Sequence, residues 1–367
     1  MPNNRALTSI LIATRTIWDN NQWRPAARAA FLRAIECGTA AAGALVFASA
    51  NQELRVNHTC KSKACPSCGR RATLQWQREL YCRLPDMPFH VIGLSMPGDL
   101  WSILLGNRHL LRDLPAVGAR VVEHYIQRKY GAKVFIVVIL HTFGGFLNWN
   151  THLHLLVSAE GLSETDYRWI TGLVFGDAEL AQLWRDSVMA YLQHARQAGR
   201  LSSPRSEHRL QRLFAYESRR QWRIDVQHFS SKKRFIEYAG RYLRRPPLAE
   251  SRIVALKQDN VQFIAKDRLH CRNVLVTMNL RKFIATLSQH VPERYEHCVR
   301  YFGLLAPACK QTEAAFIVLG QKRRNRPKKL SWRESLIKYF GRDPLLDNTG
   351  TPMVFIRRVP GYRSFRS

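Results

Sequence analysis

Two histidines in this sequence have the spacing of a metal-binding pair. His152 and His154 are separated by one residue in THLHLLVSA, residues 151 to 159, which predicts a strand. Because alternate residues of a strand share a face, both imidazoles should point the same way, about 7 Å apart along the chain. One divalent ion can bind both nitrogens in that arrangement. The pair alone is also typical of half-buried histidines packed in a sheet.

Two tyrosines form a second pair with chemical potential. Tyr238 and Tyr242 lie four residues apart in a predicted helix, residues 230 to 243, so both phenols should project from one face. An aromatic packing pair is the alternative. Cations crowd this segment, which favours a helix lying against phosphates. We predict DNA contacts for Lys232, Lys233, Arg241, Arg244 and Arg245.

The two pairs together are suited to attack on a phosphodiester. A bound metal can polarise a scissile phosphate and orient it for in-line displacement. A tyrosine oxygen is then a suitable nucleophile and would form a covalent phosphotyrosine. Since the ordinary tyrosine pKa is about 10, nearby positive charge must favour the phenolate. Two tyrosines would allow two sequential strand transfers.

A cluster of cysteines near the N-terminus has the spacing of a zinc site. Cys60, Cys65 and Cys68 follow one another in the basic loop CKSKACPSCGRR. A Cys-x2-Cys turn presents two thiolates to one ion, and zinc completes a tetrahedron with two further ligands. We predict Cys37 as the fourth ligand, with His58 as its competitor. Such a closed site would stabilise folding and help DNA docking, whereas free buried thiols are the alternative.

The charge balance points to a polyanionic partner. Lysine and arginine number 57 against 27 acidic residues, a net charge of +30. Nucleic acid is the usual counter-charge, although ribosomal-type and peripheral membrane proteins are also basic. The strongest apolar run, residues 134 to 140, is far shorter than the ~18 residues that a membrane span needs. We expect a cytosolic, DNA-facing protein that has no membrane partner.

The elements that must position these residues are strands in the middle of the chain. Apolar, β-branched segments predict strands at 89–96, 133–142 and 151–159, with a hairpin turn at 143–150 and a further strand at 221–228. The length of 367 residues suggests two or three domains. We expect a helical and zinc-binding domain at 1–84, a nuclease domain at 85–278 and a basic DNA-binding region at 279–367. That last region includes QKRRNRPKK, with six cations in nine residues.

Three segments carry a resemblance to a known family. HTFGGFLNWNTHLHLLVSAEGL, residues 141 to 162, resembles the HUH motif region of the two-tyrosine rolling-circle transposases of bacterial insertion sequences. FIEYAGRYLRRPPLAESRI, residues 235 to 253, is similar to their tyrosine motif, and RYFGLLA, residues 300 to 306, to a segment downstream. With the cysteines, the resemblance covers most of the chain.

This resemblance implies a bacterial cytoplasmic protein associated with the nucleoid, and it implies a fold and a mechanism. The fold would be α+β, with a central antiparallel sheet that carries the His-x-His strand, a tyrosine helix packed on it, and a small zinc-binding domain in front. His152 and His154 would hold Mg²⁺ or Mn²⁺. Tyr238 and Tyr242 would cut single-stranded DNA at element ends and target, leaving a 5′-phosphotyrosine and a free 3′ hydroxyl. For the third metal ligand we favour His141, with Asp225 and Glu237 as rivals.

Other functions share some of these features. A plasmid rolling-circle replication initiator or relaxase would use the same chemistry, and the cysteine cluster favours the transposase. A non-catalytic zinc-dependent DNA-binding protein would use the histidines and tyrosines for packing alone. An RNA-binding basic protein would discriminate the 2′ hydroxyl. Relatives often carry further cysteine pairs that this chain lacks, so we expect one zinc ion. Oligomeric state and the order of the tyrosines stay open.

Overall fold

The computed structural model describes residues 6–62, 65–244, 246–267 and 270–362, apart from the side chains of residues 66 and 67. Helices are interspersed with antiparallel strands, which confirms the α+β class. The α-helices are α1 (Ala6–Ala13), α2 (Arg15–Trp18), α3 (Pro25–Glu36), α4 (Pro66–Arg83), α5 (Gly98–Gly106), α6 (Leu114–Tyr130), α7 (Asp177–Gln197), α8 (Glu207–Arg219), α9 (Lys232–Tyr238), α10 (Leu280–Gln289), α11 (Thr312–Val318) and α12 (Trp332–Phe340).

Short helices of other types complete the helical content. Three segments are 3₁₀-helical and one, directly after α9, is a π-helix: Ala40–Ala42, Arg108–Arg112, Glu250–Arg252 and Ala239–Leu243 respectively. The strands are β1 (Ala44–Ala48), β2 (Glu53–Asn57), β3 (Phe89–Ser95), β4 (Ala132–Lys133), β5 (Phe135–Phe143), β6 (Trp149–Ser158), β7 (Gly161–Ser163), β8 (Trp169–Ile170), β9 (Ile224–Phe229), β10 (Ile253–Lys257), β11 (Asn260–Asp267), β12 (Arg272–Asn279), β13 (Val299–Gly303) and β14 (Val354–Val359).

The chain forms two compact units that interleave along the sequence. Unit 1 combines Met1–Trp76, Arg245–Val291 and Pro327–Ser367, and unit 2 combines Gln77–Arg244 and Pro292–Arg326. These units are not the three consecutive domains expected from the sequence. That division stays a prediction about functional modules.

Unit 2 is built on a five-stranded sheet. Its strands run in the order β13-β5-β6-β3-β9, and every neighbouring pair is antiparallel. Strand β5, which lies next to the central strand β6, has the sequence FIVVILHTF and is buried along nearly its whole length, as expected for a strand covered on both faces. A short turn joins it to β6, in which the amide of Gly144 donates to the carbonyl of Asn148. The predicted strands and hairpin turn at the centre of this sheet are therefore confirmed.

One face of this sheet carries the main hydrophobic core. Leu94 of β3, Val138 of β5 and Leu153 of β6 pack there with apolar residues from α5, α6 and α7. Gly118 of α6 lies so close to the sheet that an added Cβ would stand 2.5 Å from the side chain of Leu153. This close packing fixes the sheet from one side and leaves its opposite face for other groups.

Unit 1 contains two three-stranded antiparallel sheets, in the orders β14-β1-β2 and β10-β11-β12. In the second sheet, Phe263 of β11 is fully buried against Phe283 of α10. In the part of the chain that the structure describes, no helix has the length and apolar character needed to cross a membrane.

Candidate active site and metal centres

The alternation of β6 separates its residues between the two faces of the sheet. Thr151, Leu153 and Leu155 are fully buried, and the two leucines belong to the core described above. His152 and His154 therefore point to the opposite face, as the strand periodicity predicts. Apolar packing on one face thus holds two imidazoles on the other.

His141 joins these two histidines through strand register. It lies on β5 directly opposite His152, and cross-strand partners share a face. The three ring centroids are 4.8 to 5.1 Å apart, and one nitrogen from each ring lies within 4.8 Å of the others. Three imidazoles at this separation can serve one divalent ion.

Hydrogen bonds orient two of these rings. Nδ1 of His152 lies 2.9 Å from the carbonyl of Asn150, and Nε2 of His141 hydrogen bonds the carbonyl of Leu243. Because a carbonyl only accepts, each of these nitrogens must carry its proton. The second nitrogen of each neutral ring is then an acceptor suited to a metal. The ring of His141 also stacks on Phe143 at 4.8 Å.

The two acidic rivals for the third ligand position lie differently. Asp225 is on β9 opposite Gly93 of β3, and Gly93 is opposite His154 of β6, so this carboxylate lies on the same face two strands away from His154. It is exposed and accepts a hydrogen bond from Gln227. Glu237 is exposed on α9. Among the described residues, the histidine cluster includes neither carboxylate, so the geometry favours His141.

The tyrosines lie where α9 widens into a π-turn. The amide of Arg244 donates to the carbonyl of Ala239, five residues back, at 2.9 Å. Such a turn is rare and often marks a functional site. The rings of Tyr238 and Tyr242 are 5.0 Å apart, as expected for one face of a helix. Tyr242 is 46% exposed, whereas Tyr238 is half-buried.

The tyrosine helix packs on the face that carries the histidines. Phe235 of α9 stacks on Phe89 of β3 with 4.4 Å between ring centroids. Phe89 shares a face with Gly93, the cross-strand partner of His154. Tyr238 contacts Phe229 of β9 at 5.0 Å. These contacts and the bond from His141 to Leu243 place both predicted pairs on one surface of unit 2.

Side chains from the end of α4 also support this helix. Nε2 of Gln77 donates to the carbonyl of Ile236 at 3.0 Å. Gly240 lies against the same side chain, and an added Cβ would stand 2.2 Å from its Cδ atom. Sequence analysis missed Gln77, because about 160 residues separate it from the tyrosines and no local pattern marks it.

The predicted DNA-binding cations occupy different environments. Lys233 and Arg241 are exposed. Arg244 is half-buried, and burial lowers its pKa, although a guanidinium keeps its charge at any pH of interest. Arg245 lies outside the described residues.

The burial of Lys232 contradicts the expectation that this residue contacts DNA. It is 5% exposed, and its ammonium donates to the carbonyls of Tyr81 and Leu84 and pairs with Asp86 at 2.6 Å. Its long aliphatic side chain lets the ammonium reach these groups in the interior. Lys232 therefore anchors the start of α9 to the end of α4.

The predicted zinc ligands converge in unit 1. Sγ of Cys68 lies 3.5 Å from that of Cys37 and 3.6 Å from that of Cys60, and the Cys65–Cys37 separation is 3.8 Å. A tetrahedral zinc with Zn–S bonds of about 2.3 Å requires S···S separations of about 3.8 Å. The four sulfurs therefore fit one zinc ion. His58 does not belong to this cluster, which favours Cys37 as the fourth ligand.

Protons are shared unevenly within the thiol cluster. Hydrogen bonds from Cys60 and Cys65 lower the pKa of Cys37 to about 7. Those from Cys37, Cys60 and Cys65 also lower the pKa of Cys68. Backbone amides of Cys60 and Ser62 donate to Cys37 and Cys60 respectively. Hydrogen bonds within the cluster raise the pKa of Cys60 and Cys65 instead, so without a metal the thiolate form, which binds zinc, is favoured at Cys37 and Cys68 only.

Comparisons with known proteins identify relatives of this chain. Residues 11–96 match the family described as "Transposase zinc-binding domain", and residues 136–313 match one described as "Putative transposase". The transposase for insertion sequence element IS801 of Pseudomonas savastanoi pv. phaseolicola is 32% identical over 286 residues, 74% of this chain and 68% of that protein. "Putative transposase y4qJ" of Sinorhizobium fredii is 26% identical over 302 residues, 77% and 76% of the two chains. No solved structure matches the chain.

The site and fold define a DNA-processing enzyme with an N-terminal zinc-binding domain. The chain belongs to the family of two-tyrosine transposases of bacterial insertion sequences, as the sequence resemblance predicted. Transposase function and a DNA partner follow from that membership.

Proposed function

We propose that this transposase nicks and rejoins single-stranded DNA at the ends of its insertion sequence through a 5′-phosphotyrosine intermediate, and so drives rolling-circle transposition. One observation carries the proposal. The three histidines and two tyrosines, far apart in sequence, are held on a single face of the unit 2 sheet.

The residues have separate roles in this mechanism. His141, His152 and His154 would hold Mg²⁺ or Mn²⁺, which when bound polarises the scissile phosphate. The oxygen of Tyr238 or Tyr242 attacks phosphorus in line. A P–O bond forms to tyrosine, and the bond to the 3′ oxygen breaks and releases a 3′ hydroxyl. Attack by a 3′ hydroxyl on the phosphotyrosine reverses the step and rejoins the strand.

The second tyrosine gives the reaction a second acceptor. With 5.0 Å between the rings, a phosphate attached to one phenol leaves the other close to the same surface. Two DNA ends can then be attached in turn without loss of the first. The exposed Arg241, whose guanidinium lies 6.0 Å from the Tyr242 ring, can contact phosphates beside the nucleophiles.

A covalent-adduct assay tests this proposal. Purified protein is mixed with single-stranded oligonucleotides from the element ends, labelled at either the 5′ or the 3′ terminus, with Mg²⁺ or Mn²⁺. We expect a denaturant-resistant protein–DNA band with the 3′ label only, because a 5′-phosphotyrosine retains the 3′ fragment. The band should disappear in His152→Ala and in Tyr238→Phe combined with Tyr242→Phe.

Matched surface variants provide the controls. Tyr216 and His208 are exposed on α8, and Tyr216→Phe and His208→Ala should form the adduct normally. Folded protein that binds the DNA and never forms a band would instead be a zinc-dependent DNA-binding protein. A band retained with the 5′ label would contradict the polarity of the proposed linkage.

A further inference from the structure

The sheet β14-β1-β2 of unit 1 carries aromatic side chains that the proposed chemistry does not use. Phe355 of β14 lies opposite Phe47 of β1, which is itself opposite Leu54 of β2. Leu45 lies two residues before Phe47 on the same face of β1. Its cross-strand partners are Arg358 of β14 and Val56 of β2. One face therefore presents an apolar row with an arginine beside it.

This face is accessible to solvent. Phe355 is 56% exposed, and Phe47, Leu54 and Leu45 are each half-buried. The two phenylalanine rings are 5.8 Å apart at an angle of 70°. A single exposed apolar side chain is ordinary, whereas a contiguous row across three strands indicates a surface with a partner.

The charges around the sheet favour a polyanion as that partner. On the aromatic face the charged residue is Arg358, the partner of Leu45, whereas Arg55 and Arg357 are the partners of Val46 on the other face. The only acid of the three strands, Glu53, lies 3.9 Å from Arg357. The second candidate is another copy of the chain paired along the edge strand β14. Adjacent arginines on that edge would repel their counterparts, which is a common protection against such pairing. The net charge of +30 opposes it further.

We propose that this face binds the unpaired bases of single-stranded DNA. Bases stack on Phe355 and Phe47, and Arg358 contacts the adjoining phosphate. Stacking on aromatic rings beside cations is how proteins hold single strands with little sequence preference. Bases of a duplex already stack on one another, so the rings discriminate against duplex DNA. This inference rests on the proposed function, since it gives the same substrate a second site of contact.

Equilibrium binding tests the inference separately from cleavage. All proteins carry Tyr238→Phe and Tyr242→Phe, so that no adduct forms, and a labelled oligothymidylate is titrated by fluorescence anisotropy. We expect Phe355→Ala to raise Kd by about 5- to 100-fold. Phe355→Leu should be as weak as the alanine variant, whereas Phe355→Trp should bind as well as the parent. If Phe355→Leu bound as tightly as the parent, the contact would be a general apolar one and not base stacking.

Controls separate this surface from general effects. Tyr295 is 79% exposed in unit 2, and Tyr295→Ala should leave Kd unchanged. Affinity for the matching duplex should be the same in the parent and in Phe355→Ala. Irradiated oligonucleotides containing 5-iodouracil should crosslink to Phe47 or Phe355. Undiminished single-strand binding by Phe355→Ala, with crosslinks only outside the three strands, would overturn the proposal.

Two further outcomes are informative. If Phe355→Ala alters the oligomeric state in size-exclusion chromatography with light scattering and leaves Kd unchanged, the face joins copies of the chain and the inference is wrong. If the protein with both tyrosines forms no adduct but Phe355→Ala still weakens single-strand binding, the cleavage mechanism fails and this surface stands.

Discussion

His141 is the candidate metal ligand whose choice rests on both the sequence and the structure. Sequence analysis favours His141 as the third ligand, with Asp225 and Glu237 as rivals. Strand register separates them, because only His141 lies directly opposite His152. A one-residue slip would place it on the other face, so no pattern in the sequence alone decides the choice.

We predict that His141→Ala raises the Mn²⁺ concentration needed for half-maximal adduct formation by at least about tenfold, as expected when metal coordination is weakened. Titration of Mn²⁺ in the adduct assay measures this. Asp225→Ala is the matched control on the same face and should change the titration little. A larger effect of Asp225→Ala than of His141→Ala would reverse the assignment.

A second residue-scale prediction concerns His90, away from the proposed chemistry. Burial lowers its pKa, and the nearby His228 lowers it further. Nε2 lies 3.1 Å from the carbonyl of Leu173, and Nδ1 is buried without a hydrogen-bond partner among the described residues. Because the fold favours the neutral ring, the unfolded chain binds the extra proton as pH falls below about 6.5. Stability should therefore fall from that pH downward.

His90→Gln keeps a donor for the Leu173 carbonyl and removes the titration. We expect its free energy of unfolding to fall less than that of the parent between about pH 7 and pH 5. Urea denaturation at each pH gives this comparison. His208→Gln, an exposed substitution on α8, should retain the dependence of the parent. An equal slope for His90→Gln would exclude His90 as a source of the effect.

At the scale of elements, the tyrosine helix shows which features a sequence pattern predicts and which it does not. One continuous helix over residues 230 to 243 was predicted, and its position and tyrosine face agree with the structure. The change from α to π hydrogen bonding at Ala239 was not foreseen. This segment makes tertiary contacts with Gln77 and with His141, through the carbonyl of Leu243, which no local sequence pattern reveals.

We predict that Gly240→Ala displaces the side chain of Gln77 and breaks its hydrogen bond to Ile236, at a cost of about 1 kcal/mol in unfolding free energy. Adduct yield should fall as well, because the tyrosines lie on either side of the substitution. A double-mutant cycle with Gln77→Ala measures the coupling. The methyl group should be tolerated better in the Gln77→Ala background. If the double variant lost as much stability as the two single variants together, the result would contradict this contact.

The strands of the unit 2 sheet were easier to predict than those of unit 1. Runs such as FIVVILHTF are apolar and β-branched over nine residues, so burial on both faces fixes their type. The strand β14 has the sequence VFIRRV and is almost wholly exposed, so its pairing with β1 adds little to any core. Local composition therefore could not predict that β14 pairs with β1, near the start of the chain.

At the scale of the whole molecule, the zinc cluster should stabilise unit 1 in particular. Three of its ligands precede α4 or lie in its first turn, and Cys37 follows α3 directly. We expect one zinc per chain in the parent and almost none in Cys68→Ser. Hydrogen exchange should then become faster in β1 and β2, because closed zinc sites contribute directly to folding. Metal analysis and exchange mass spectrometry measure these effects.

Cys271→Ser, an exposed thiol in the same unit, is the matched control and should retain the zinc. Unit 2 peptides such as those of β5 should exchange at the parental rate in both variants. Full zinc content in Cys68→Ser would show that another residue completes the site.

The pairing of β1 with β14 also has a consequence during protein synthesis. About 300 residues separate these strands, and at roughly 5 to 20 residues per second the ribosome needs about 15 to 60 s to supply the second one. Through that interval β1 has β2 as a neighbour and an open edge on its other side. The cysteines are made early, so a nascent chain that has captured zinc can hold this hairpin in place. Availability of the metal during translation would then decide how much of the newly made chain reaches its native sheet.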